Sequence, residues 1–375
     1  MLFRSKRQVY FDYAASTPVA SEVMKAMKPY FDVWCNNPSN KANLASIQID
    51  MDIAETTDNI LSLFGKGNQD IIYTSGATES INTCLKSIHH LSDVNKKQII
   101  TARTEHMATI SVCEYLVSLG AEIVYLNVNR KGQIDLNELS ANITPNTFAV
   151  TLMGVNNETG VIYDTEAIYR ICKSHKVPFV CDTTQMVGKI PMKSFEADYI
   201  IGSAHKIYGP KGIGFIIANE QTQIQPLIHG GGQQNNLRSG TLNVPGIIGL
   251  AKALELSLSN IQKNYDYVSN IQKRFETELL ATGKVEIIAK EAHRSPYISN
   301  IRLLNGGCID MIAELGGVMA FSTSSACSSS SVSHVLTGMG YNNEEAAECC
   351  RFSFSQLTTQ QEIDKAIINI KKYLR

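Results

Sequence analysis

Through the first two thirds of this chain, short runs of β-branched residues alternate with segments of helical periodicity. That is the pattern of βαβ units around a mainly parallel sheet. IIYT (71–74) precedes a helical stretch containing INTCLKSI. QIITA and AEIVYLNV flank the helical SVCEYLVSLG, and FAVTLMGV and PFVCDTT flank AIYRICKSHK. YIIGS and GFIIA then follow with little between them, and so short a link admits an antiparallel strand there. From about Val244 a long, nearly Gly-free stretch with helical spacing reads as one long helix or two. YISNIRLL, MAFSTS and RFSFS read as later strands between helices. The last helix carries Ile363, Ile367 and Ile370 on one face, behind a capping box of Thr359 and Glu362. The expected division is a large α/β domain over 14–256 and a smaller α+β domain built from 1–13 and 257–375.

Composition narrows the class. With 375 residues, 44% hydrophobic and 18% charged, the chain reads as a soluble globular protein of about two domains. A net charge of -1 gives no bulk drive toward nucleic acid or anionic membrane, so direct nucleic-acid binding is not expected. The N-terminus has no apolar core between Arg4 and Asp12, and no apolar run approaches the roughly 18 residues of a membrane span. Nine cysteines, without CxxC pairs, suit neither a disulfide framework nor a zinc ribbon, and point to the cytoplasm. An iron–sulfur protein lacks its ligand spacing for the same reason.

Several loops carry chemistry. YTSGATES places Ala77 and Thr78 between a strand and a helix, where free N–H groups suit either phosphate or an ordinary N-cap. GSAHKIYGPKGIGFI offers Ser203, His205 and Lys206; a partly desolvated lysine forms Schiff bases, although most lysines are surface residues. Its GxxGxG spacing leads into a strand, which excludes the nicotinamide fingerprint. Asp182 ends a buried strand, where its carboxylate can hold a pyridine nitrogen protonated or cap a helix; Gln185 follows. His106 in RTEHMAT has a ring able to lie on a planar cofactor, or a structural role. GGGQQNNLRSGT, ending at Thr241, is a phosphate-binding loop or a plain connection. Cys327 stands among serines, surroundings unlike a core, and Arg351 enters a strand as a carboxylate ligand or a surface ion pair.

Taken in order, VYFDYAASTPV, TSGATES, TEH, VNNETG, DTTQ, SAHKIYGPKGIG, GGGQ, LRSGT, SSACSS and RFSFS resemble the NifS/IscS-type cysteine desulfurases. These are pyridoxal-phosphate enzymes of the class V aminotransferase group. The resemblance implies the aspartate-aminotransferase-like fold type I, pyridoxal 5'-phosphate as cofactor, L-cysteine as substrate, a sulfur-acceptor protein as partner, and a homodimer. It implies Lys206 as the Schiff-base lysine, Asp182 on the pyridine nitrogen, His106 stacked on the ring and Gln185 on the ring hydroxyl. Ala77, Thr78, Ser203 and His205 would hold the phosphate, with Thr241 reaching it from the other subunit. Asn157 and Arg351 would bind substrate, and Cys327 would take the sulfur as a persulfide, leaving alanine. Iron–sulfur assembly and tRNA or DNA thiolation would all draw on that sulfur. The chain departs from IscS-type members in the shorter SSSSVSHVL after Cys327, in NNPSNKAN with Asn36 and Asn43, and in Gln234 after GGGQ. A selenocysteine lyase or aminotransferase is the runner-up, disfavoured by Cys327, and a non-catalytic sulfur carrier the reading from another class, disfavoured by the presence of both Lys206 and Cys327.

Overall fold

In the computed structural model, residues 8–67, 69–192, 194–219, 223–304, 306–323 and 332–375 are described. After a short first strand, β1 (Val9–Tyr10), seven strands build the main sheet. They are β2 (Asp70–Thr74), β3 (Gln98–Ala102), β4 (Glu122–Leu126), β5 (Thr147–Met153), β6 (Phe179–Asp182), β7 (Tyr199–Ser203) and β8 (Gly214–Ala218). Their spatial order is β2-β8-β7-β6-β5-β3-β4. The neighbours from β7 to β4 are parallel, whereas β8 runs antiparallel to both β7 and β2. The cause is the link from Ser203 to Gly214, which holds a single 3-10 turn, Ala204–Lys206. A parallel crossover needs about a dozen residues or more, usually with a helix. Every residue of β5, β7 and β8 is buried, as expected of strands covered on both faces.

The order has a consequence for chemistry. Because β2, β3, β5, β6 and β7 all point the same way, the loops that follow them open on one edge of the sheet. Those loops carry Gly76, His106, Asn157 and Lys206, and Asp182 ends β6 at the same edge. The carboxyl edge of such a sheet is where α/β folds bind ligands.

The remaining strands are β9 (Val285–Ile287), β10 (Ile298–Leu303), β11 (Met319–Ala320), β12 (Ser322–Thr323) and β13 (Cys349–Ser353). Four of them form an antiparallel sheet in the order β12-β13-β10-β9, while β11 pairs in parallel with β1. MAFSTS is therefore not one strand. It divides at Phe321, whose ring stacks on Phe352 at 4.7 Å, so the chain leaves β1 and crosses to β13. The helices Ile261–Leu280 and Gln360–Tyr373 pack on this sheet through Ile271, Phe275, Ile363 and Ile367. The expected capping box of Thr359 and Glu362 is present.

The long helical stretch is two helices, Val244–Ser259 and Ile261–Leu280, bent by 70°. Asn260 stands at the bend with φ -114°, outside the helical region, and its Nδ2 donates to Leu256 O. That bond satisfies a carbonyl freed by the break. The first helix belongs to the core of the main sheet and the second to that of the smaller one. The two parts are joined where Ser295 N donates to Gly160 O, Ile162 N to His293 O and Asn300 Nδ2 to Glu158 O. Behind that joint Arg294 binds Glu276 with two nitrogens, at 3.0 and 2.9 Å. Among the described residues no single helix is long and apolar enough to cross a membrane.

Candidate active site

A cavity of about 760 Å³ lies on the carboxyl edge of the main sheet, roofed by Phe321, Ser322 and Thr323 from the smaller part. At one end stands the helix Ala77–Leu91, whose N-cap Gly76 supplies no side-chain cap. Its first N–H groups, with the helix dipole behind them, therefore have the character of an anion site. Gly76 has φ 154° and ψ 177°, a conformation open in practice to glycine alone. A Cβ on Gly214 would stand 2.6 Å from Gly76 Cα, so glycine at 214 is needed for the loop to lie against β8. Glu79, in the first turn, accepts from Ser75 N and from Arg238 Nε at 2.9 Å. Burial alone would raise its carboxyl, but Arg238 and Ser75 outweigh that and hold it below the usual range. Its charge is thus spent before it can repel an anion.

Lys206 is not a surface lysine. Its Nζ donates to Ala14 O at 2.7 Å and to Ala15 O at 2.8 Å, and it lines the cavity. His205 Nδ1 lies 3.2 Å from Ser16 Oγ. Burial, then the charges of Lys206, Lys211 and Lys189, push His205 down to about 4, so its ring is neutral at physiological pH. Asp182 Oδ1 accepts from Thr184 N at 2.9 Å. His106 Nδ1 accepts from Ala108 N as the cap of the helix Met107–Val117, and its ring lines the cavity. That bond leaves the ring proton on Nε2. Burial lowers His106 as well; Asp182 opposes this, and Lys206 and His334 add to it.

Gln185 bonds Ala14 O through Nε2 at 2.8 Å. Arg351 is an ion pair but not a surface one: it is 2% exposed, with Nη2 on Asp12 Oδ1 at 2.8 Å and Nη1 on Asn157 O at 2.9 Å. Three buried polar atoms on the cavity's residues have no hydrogen-bond partner among the described residues: Arg351 Nε, Asn157 Oδ1 and Thr184 Oγ1. Buried polar groups are ordinarily satisfied, so this set calls for a polar ligand. Ala77, Thr78 and Ser203 also line the cavity. Thr241 does not; it lies in a separate recess with Ser75, Gln234 and Arg238.

Cys327 lies outside the described residues. Of the residues near its segment, Thr323 lines the cavity, and Ser333 Oγ donates to Glu158 Oε2, next to Asn157. Of the eight described cysteines only Cys35 is exposed. Sequence reasoning missed Asp12, Thr184, Lys189 and the carbonyls of Ala14 and Ala15. Asp12 was visible as the one acid of VYFDYAAS; the carbonyls left no signal.

The class-V aminotransferase family matches residues 9–366. The chain belongs to that family. The cysteine desulfurase IscS of Dictyoglomus turgidum is 37% identical over 366 residues, covering 96% of this chain and 92% of the relative. A solved NifS-like protein superposes with a TM-score of 0.92 at 32% identity, covering 98% of this chain and 99% of its own. SspA, solved in complex with cysteine, gives a TM-score of 0.81 at 30% identity, covering 94% of this chain and 100% of its own. Class V aminotransferases are pyridoxal 5'-phosphate enzymes, and this member stands among the cysteine desulfurases. The residues present fit that cofactor: an uncapped helix N-terminus for a phosphate, a lysine amine, a carboxylate at a strand end and unpartnered polar atoms on one cavity.

Proposed function

We propose that this cysteine desulfurase uses Lys206, Asp182, His106 and Arg351 to take sulfur from L-cysteine, and passes it through Cys327 to an acceptor protein. The observation that carries the reading is the convergence of a lysine amine, a strand-end carboxylate, a fixed imidazole and a buried arginine on one cavity. Lys206 would hold the cofactor, Asp182 would face its pyridine nitrogen, Gln185 its ring oxygen, and His106 its face. Ala77, Thr78, Ser203 and His205 would hold the phosphate. When bound, pyridoxal phosphate supplies an electron sink for the substrate α-carbon.

The chain's own groups do the rest. Arg351 takes the substrate carboxylate beside Asn157, through the guanidinium edge that Asp12 and Asn157 O leave unmet. The Lys206 amine removes the α-proton. The Cys327 thiolate then attacks the substrate sulfur: the C–S bond breaks, an S–S bond forms, and the electron pair stays on carbon, which is protonated to give alanine. The enzyme thiol and cysteine thus become enzyme persulfide and alanine, with no external oxidant. Acceptors in iron–sulfur assembly or nucleic-acid thiolation fit this persulfide. We further propose a homodimer in which Thr241, off its own chain's cavity, serves the neighbour's phosphate, and a division into 14–256 against 1–13 with 257–375.

The test is product stoichiometry. With reductant, the purified protein is expected to release alanine and sulfide from L-cysteine in equal amounts, and without it the peptide holding Cys327 should gain one sulfur atom by mass. A protein that binds the cofactor yet makes no alanine overturns the reading. Arg351→Gln should lower kcat/KM for L-cysteine by about two to three orders of magnitude, mostly in KM, because a charge-assisted bond to a desolvated carboxylate is lost. Steady-state kinetics read this directly.

A further inference from the structure

Behind Gln185 lies a lysine that the proposed chemistry does not use. Lys189 is 4% exposed, and its Nζ donates to Gln185 Oε1 at 2.6 Å. Gln185 Nε2 donates in turn to Ala14 O at 2.8 Å, and the same carbonyl accepts from Lys206 Nζ at 2.7 Å. Hydrogen bonds thus run without a break from Lys189 through Gln185 and Ala14 to Lys206. The direction of the amide follows from chemistry. An ammonium has donors only, so the oxygen of Gln185 must face Lys189 and its NH2 group must face Ala14 and the cavity. Ala14 O selects the same orientation from the other side, and with an apolar group in place of Lys189 the amide oxygen would lose its donor and its hold in that buried position.

We propose that Lys189 is a positioning residue for the cofactor ring, holding the Gln185 amide with its NH2 toward the ring oxygen and placing a cation behind it. This rests on the reading above that Gln185 meets that oxygen. The charge environment agrees. Burial, then Lys206 and Arg351, push Lys189 down to about 7, and Lys189 in turn helps to push His205 down. Arg351 is paired with Asp12.

The experiment is a pH titration of the visible absorption that Lys206 gives with pyridoxal phosphate, in holoenzyme and in Lys189→Met, Lys189→Arg and Lys189→Gln variants. A cation and an N–H donor both favour the deprotonated chromophore, so their loss should move its midpoint to higher pH. Lys189→Met is expected to move it up by about one unit or more, with cofactor still bound. Lys189→Arg should stay near the wild-type midpoint and Lys189→Gln should move with Lys189→Met. In a Gln185→Leu background the same Lys189→Met change should shift the midpoint less. If Lys189→Met fails to fold, the comparison of Arg with Gln carries the same decision. Folded variants lacking the charge but keeping the wild-type midpoint overturn the role of Lys189 alone. A wild-type protein that forms no chromophore with pyridoxal phosphate overturns the proposed function, and this role with it.

Discussion

Lys206→Ala is expected to leave alanine formation from L-cysteine at least about four orders of magnitude below wild type, the scale on which loss of a covalent catalytic group is felt. The amine is placed by two carbonyls, those of Ala14 and Ala15, at the carboxyl end of β7. No neighbour replaces it: Lys189 is tied behind Gln185, and Lys211 is exposed at the rim of the cavity. The variant should fold, because Ala14 O keeps its bond from Gln185. It should also retain some cofactor without a covalent link, since the helix N-terminus and Ser203 are untouched. Alanine assay and the visible spectrum together check this. Turnover within a hundredfold of wild type would show that another group takes the α-proton.

Cys327→Ala should likewise cost at least about a thousandfold in alanine formation, but at a later step. Removal of the α-proton needs Lys206 and not the thiol, so the variant should still exchange that proton of L-cysteine with deuterated water, while Lys206→Ala should not. The two variants therefore separate proton removal from sulfur transfer. The contrast among the cysteines supports the choice of thiol. Burial pushes Cys113 and Cys172 up to about 12, and neither is a nucleophile at neutral pH. Mass spectrometry of the Cys327 peptide and proton exchange by NMR are the measurements. A Cys327→Ala protein with wild-type alanine output would point to a lyase in which the sulfur leaves unaided.

Much of this site was legible because its signals are local. Asp182, His106 and Lys206 each sit within a few residues of a strand end, and a strand followed by a polar loop is a pattern of neighbours in sequence. Their alternative readings were equally legible, and the structure adds where each side chain lies. Lys206 is half-buried on two carbonyls; His106 turned out to be both a helix cap and a cavity wall. Arg351 was read as a carboxylate ligand or a surface ion pair, and neither reading carried its burial or its partner. Asp12 is 339 positions away, and nothing in the spacing of either residue reports the other.

The sequence by itself determined the class of the fold: alternating strand and helix periods demand a layered α/β sheet, and a link too short for a crossover turns β8 antiparallel. It also determined the chemical repertoire, through the residue types in each strand-end loop. Only the tertiary structure decided how those loops meet. The strand order β2-β8-β7-β6-β5-β3-β4 brings five of them to one edge, β1 is paired with β11, MAFSTS is divided at Phe321, and Lys189 is buried against Gln185. The physical reason is that periodicity records which face of an element is apolar, whereas strand order, burial and long-range pairing follow from packing between elements, whose free energy no local pattern contains.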